Sequence, residues 1–136
     1  MEQVFAQEGV ETELVHVGGQ SIRGCIGCGK CREKGRCVFD DLVNETAPKF
    51  AACDGLVAGS PVYYASANAT LVAFLTRLFY SAGFDKTMKV GASVVAARRG
   101  GLSAAFDAPS RRPPGQRPAP SHGGRRRYCR WGGGCH

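Results

Sequence analysis

The sequence predicts an α/β protein built as a doubly wound, mostly parallel sheet. Three observations carry that expectation. Short, continuously apolar runs, Gly55–Gly59 and Val90–Ala97, read as strands buried on both faces. Between them, Leu71, Phe74, Leu75, Leu78 and Phe79 fall at i, i+3, i+4, i+7 and i+8, the stripe of an amphipathic helix. The unusual residues lie in the loops that follow the strands, which is where ligands bind in such sheets.

Each element follows in order. Residues 2–8 read as the closing turns of a helix, with Gly9 at its C-cap. Val10–Val17 alternates in part between apolar and polar and then meets Gly18 and Gly19, as a strand entering a turn does. A cysteine-rich loop occupies Arg23 to Cys37. Asp40 and Asp41 suit a helix N-terminus, because carboxylates accept its free N–H groups and oppose its positive dipole end. Pro48 predicts a kink or restart in that helical region, which closes near Cys53. Cys53 itself reads as a small core residue, and His16 as a structural residue of its strand. Ser60–Asn68 is expected as a polar, tyrosine-bearing loop, Ala69–Ser81 as the amphipathic helix, and Arg98–Gly101 as the loop that ends the last strand.

Charge narrows the function less than its total suggests. The net charge is +7. Basic and acidic residues balance through Asp107, so the whole excess lies in the arginines from Arg111 onward. The body of the protein is electrostatically ordinary. Apolar runs such as Leu71–Leu75 are far too short to span a membrane. The start has no basic and apolar leader pattern. A cytoplasmic, reducing setting is the expectation, and a disulfide framework is not.

Cys25, Cys28, Cys31 and Cys37 form the pattern C-x2-C-x2-C-x5-C. Three thiols at intervals of three can close around one polynuclear centre, as in ferredoxin-type loops that hold iron–sulfur clusters. Structural zinc more often draws paired knuckles from separated segments. A cluster is the expectation; zinc and a reduced loop that binds nothing remain open beside it.

Gly59-Ser60-Pro61-Val62-Tyr63-Tyr64, then Asn68 and the following helix, resembles the NADPH-dependent FMN reductase branch of flavodoxin-like proteins. Ala97-Arg98-Arg99-Gly100-Gly101 resembles it too, and the cysteine loop with Asp40 and Asp41 resembles the iron–sulfur flavoproteins within that group. The resemblance implies an FMN-dependent oxidoreductase, usually oligomeric, that uses NADPH or NADH. Pro61, Val62, Tyr63, Tyr64, Ala65 and Ser66 would then wrap the isoalloxazine ring, and Arg98, Arg99, Gly100 and Gly101 would meet its pyrimidine side. Cys25, Cys28, Cys31 and Cys37 would hold a [4Fe-4S] cluster. Its partners would be small-molecule or protein electron donors and acceptors. Such roles suit the residues: a flavin needs flat apolar walls, backbone donors near its carbonyls and positive charge near N1 and O2.

The resemblance has two limits. The family's first strand and phosphate-binding loop have no counterpart before the first helix, so an incomplete sheet, lacking its first and fifth strands, is expected. From Ala108 the composition turns to arginine, proline and glycine. The expected organisation is therefore a partial flavodoxin-like domain over 1–107 and a disordered tail over 108–136. The rival reading is a non-catalytic protein. Its cysteine loop would hold zinc, and its tail arginines, with Tyr128 and Trp131, would contact nucleic acid. Nucleic acid and membranes are not the expected partners. Cys129, Cys135 and His136 form a further, weak metal-ligand group.

Overall fold

Four parallel strands lie side by side in the order β1 (Glu11–His16), β5 (Arg127–Gly132), β2 (Gly55–Tyr63) and β4 (Val90–Ala96). The computed structural model describes residues 2–110 and the backbone of 127–132. The Arg/Pro/Gly-rich run 111–126, Cys135 and His136 lie outside the described residues, as do the side chains of Tyr128, Cys129 and Trp131.

Between the strands run α3 (Leu42–Ala52) and α4 (Ala69–Ser81), the two long crossover helices. The shorter helices are α1 (Glu2–Gln7), α2 (Lys30–Lys34) and α5 (Leu102–Ser110). This is the doubly wound α/β architecture that the buried runs and the amphipathic helix imply. Both apolar runs form strands where expected, with β2 extended through Ser60–Tyr63, but only β2 is buried: β4 pairs with β2 at the edge of the sheet, and its residues are exposed or half-buried rather than covered on both faces.

Position β5 differs most from expectation. A chain without the first strand was expected to leave a gap between β1 and β2. Arg127–Gly132, inside the run expected to be disordered, instead pairs parallel with both. The physical reason is backbone accounting: without β5 the N–H and C=O groups along the facing edges of β1 and β2 would be buried unpaired. Pairing of this kind depends on backbone more than on side chains, so a segment of unremarkable composition can serve. Ala108 to Ser110 likewise belong to α5 rather than to a tail.

Two smaller differences bear on the site. Ser60–Asn68 is a hairpin rather than a loop: β2 turns at Tyr64 and Ala65 into β3 (Ser66–Ala67), which pairs antiparallel with Val62 and Tyr63. Helix α3 is one helix, with Pro48 inside it, rather than two.

The core gathers Val15 of β1 and Val17 just after it, Val43 and Phe50 of α3, Leu56 and Ala58 of β2, and Leu71, Phe74, Leu75 and Leu78 of α4. These four α4 residues belong to the predicted stripe of five; the fifth, Phe79, is partly buried against the same core. Cys53 is buried in the same cluster, as its sequence context implied. Lys89 locks the α3 end by donating to the carbonyls of Ala51 and Cys53, where the helix C-terminus leaves acceptors without intrahelical donors.

Candidate functional site

The cysteine loop leaves the carboxyl end of β1. Gly27 and Gly29 flank Cys28, both with positive φ (66° and 70°), a conformation that costs glycine nothing. These two reversals, followed by the single turn of α2 that carries Cys31, bring Cys25, Cys28, Cys31 and Cys37 onto the wall of one cavity of about 450 Å³. Cys25 and Cys28 are exposed; Cys31 and Cys37 are partly buried. No three His, Cys, Asp or Glu side chains among the described residues converge on a single metal-ion position. The thiols surround a space rather than a point.

Cys37 is held far more tightly than its partners. Asn44 in the first turn of α3 accepts the Cys37 N–H through Oδ1 (2.9 Å) and donates Nδ2 to the Cys37 carbonyl (3.1 Å) and the Phe39 carbonyl (2.9 Å). Arg77, from the middle of α4, donates Nε and Nη2 to Cys37 Sγ at 3.3 and 3.1 Å. The same guanidinium bonds Asp41 through Nη1–Oδ2 (2.6 Å) and Nη2–Oδ1 (3.0 Å), a bidentate fork. It also donates to the Arg23 carbonyl and lies 5.0 Å from the centre of the Phe39 ring.

Asp41 has a second task. Its Oδ1 accepts the Val43 N–H and caps α3, as the acidic pair predicted. Arg77 is 1% exposed. Burial works against its charge, yet the hydrogen bonds to Asp41 and Cys37 prevail and hold the guanidinium above its ordinary range. Ser81, one helical turn beyond Arg77, lines the same cavity. Its hydroxyl is buried with no partner among the described residues.

A second group of candidates lies at the carboxyl ends of β2 and β4. Pro61, Val62 and Tyr63 finish β2, Tyr64 and Ala65 form the turn, and Ser66 opens β3. Tyr64 and Ala65 both have positive φ (47° and 57°), the two-residue turn geometry that fits strand twist but strains residues with a side chain. The Tyr64 ring is fully exposed, and Tyr63 is half exposed. Arg98, Arg99 and Gly100 are exposed in the bend after β4. Gly101 joins the two loops: a Cβ there would lie 2.7 Å from the Ala65 Cα and 3.3 Å from Val62 Cγ1. The structure therefore brings residues 61–66 and 98–101 together, as one surface at the sheet's carboxyl edge.

Sequence reasoning passed over Arg77, Asn44 and Ser81. One signal for Arg77 was present: it sits three residues after Phe74, at the margin of the apolar stripe, in a chain whose cysteine loop ends on two aspartates.

Fold and site together define a flavodoxin-like α/β protein carrying a four-thiol cavity beside its sheet. The family model for NADPH-dependent FMN reductase matches residues 1–109, and the chain belongs to that family. Among curated proteins it is similar to an iron-sulfur flavoprotein of Methanocaldococcus jannaschii, 38% identical over 100 residues, which are 71% of this chain and 52% of that protein. An iron-sulfur flavoprotein of Methanosarcina thermophila is 36% identical over 103 residues, 73% of this chain and 54% of that protein. One from Archaeoglobus fulgidus is 36% identical over 89 residues, 64% of this chain and 40% of that protein. The chain spans about half the length of the curated relatives it matches. No solved structure matches significantly. No helix among the described residues is long and apolar enough to cross a membrane.

Proposed function

We propose that this chain is an FMN-dependent electron-transfer oxidoreductase in which Cys25, Cys28, Cys31 and Cys37 hold a [4Fe-4S] cluster. The observation that carries this reading is the shared cavity. Four thiols line one space, one of them already gripped by a buried cationic fork, and curated relatives that the chain matches are named iron-sulfur flavoproteins. Thiols spread around a volume suit a polynuclear centre, in which each iron takes one sulfur, better than a single ion that needs all of them at one point.

When bound, the flavin supplies hydride acceptance and single-electron release, and the cluster supplies one-electron relay. The chain's own residues do the rest. Asn44 fixes the Cys37 backbone, and Arg77 fixes its sulfur. The glycine-hinged segment from Cys25 to Cys31 closes over the other side. Pro61, Val62, Tyr63, Tyr64, Ala65 and Ser66 form the apolar and aromatic wall for the ring. Arg98 and Arg99 bring positive charge to its edge, while Gly100 and Gly101 permit close backbone approach.

The electron donor in this reading is NADPH, NADH or a ferredoxin-like protein; the setting is cytoplasmic and the working form a homo-oligomer. A UV–visible spectrum of anaerobically purified protein, with iron and acid-labile sulfide assays on the same sample, tests it. A broad blue-region shoulder with matching iron and sulfide is expected, together with flavin bands. Colourless, iron-free protein overturns the reading and makes the cysteine loop a zinc or empty site.

A further inference from the structure

Helix α4 presents two buried polar side chains to the thiol cavity, Arg77 and Ser81, one helical turn apart. They are 1% and 2% exposed in a helix otherwise buried through leucine and phenylalanine. Putting a guanidinium and a hydroxyl on that face is costly unless each has a polar task. Arg77 has one in plain view: Nε and Nη2 donate to Cys37 Sγ, and Asp41 holds the fork in position. The Ser81 hydroxyl lacks a partner among the described residues, and the space beside it is the one the four thiols surround.

We infer that α4 sets the reduction potential of the thiolate-bound centre, Arg77 by donating to Cys37 Sγ and Ser81 by donating to a sulfur placed in the cavity. This rests on the cluster reading above and goes beyond it, because it assigns the tuning to two named positioning residues. One-electron reduction, with the electron supplied by a reduced flavin, adds one negative charge to the centre and neither makes nor breaks a bond. Hydrogen-bond donors and positive charge next to its sulfurs stabilise that added charge, which raises the potential. Arg77 acts on one ligand with two N–H groups and a charge, so its effect exceeds that of Ser81. Its removal favours the oxidised form.

The experiment is a redox titration of the holoprotein, followed by visible absorption and electron paramagnetic resonance, for wild type, Arg77→Gln, Arg77→Lys and Ser81→Ala. Iron and sulfide are measured on every sample. Arg77→Gln should lower the reduced-to-oxidised ratio at a fixed potential at least tenfold, about 59 mV for a one-electron couple. Arg77→Lys, which keeps the charge but loses the fork, should recover part of that ratio. Ser81→Ala should give a smaller shift in the same direction.

Iron-replete Arg77→Gln with the wild-type potential overturns the inference and leaves the cluster intact as a reading. If that variant does not fold, unshifted potentials in iron-replete Arg77→Lys and Ser81→Ala overturn it equally. Wild-type protein without iron overturns the cluster reading, and this inference falls with it.

Discussion

Asn44 closes two hydrogen bonds on the backbone of Cys37, accepting its N–H and donating to its carbonyl, so a helix residue mimics a strand neighbour for a single loop position. That arrangement makes Cys37 the fixed point of the cysteine loop. Cys25 and Cys28 instead stand exposed on a glycine-hinged segment. A centre assembled here would form against Cys37 and be closed by the others. Replacing Asn44 by alanine should lower stability by about 1–2 kcal/mol, since partly buried backbone groups lose their partners. Urea unfolding measures that loss. The same variant should lose iron faster to a chelator than wild type does.

The Asp41–Arg77 pair separates charge from capping. Asp41→Ala strands a buried guanidinium and removes the α3 cap; the expected cost is about 3–5 kcal/mol, the range for breaking a buried pair. Asp41→Asn keeps a good cap and one acceptor for the fork, so its unfolding midpoint should fall between those of wild type and alanine. Denaturant midpoints at constant m-value decide the order. Equal midpoints for the two variants would mean that the charge, not the cap, matters at this position.

Gly101→Ala should be destabilising for two reasons that act together. Its φ of 85° disfavours any side chain, and the new Cβ would meet the Ala65 backbone at 2.7 Å. The hairpin turn must then move, at a cost of about 1–3 kcal/mol. Flavin titration should show weaker binding in this variant, because residues 61–66 and 98–101 would no longer share one surface. Unchanged flavin affinity with reduced stability would place the flavin elsewhere.

Ending the chain at Ser110 should abolish cooperative folding. That truncation removes β5 and leaves β1 and β2 with unpaired facing edges. A thermal melt followed by far-UV circular dichroism should lose its sigmoidal transition. A synthetic peptide covering 111–136, added in excess, should restore it by re-entering the sheet.

Periodicity and spacing made much of the fold legible, for reasons that are local. The α4 stripe from Leu71 to Leu78 and the apolar run Gly55–Gly59 report burial directly, because each apolar residue needs cover wherever it lies. Asp41 as a cap was legible because capping chemistry acts within three residues. The family was readable in the residues after β2 and β4 and in the cysteine spacing. What stayed hidden is non-local. Arg77 on a helix looks like a solvated residue until Asp41 and Cys37, 36 and 40 positions away, are folded against it. Segment 127–132 carries no strand periodicity of its own, and only the vacancy between β1 and β2 makes it a strand.

That placement bears on the order of folding. In the register of the sheet, Glu11 stands beside Arg127 and Gly55 beside Tyr128. The central strand is thus contributed by a segment far downstream of both its neighbours. Until it arrives, β1 and the β2–β4 pair can form only separate halves, each with an open edge. Contacts of such long sequence separation are slow to close. During that interval the two open edges are templates for strands of other chains. Yield on refolding should therefore depend on protein concentration even though the finished sheet leaves neither of those two edges exposed.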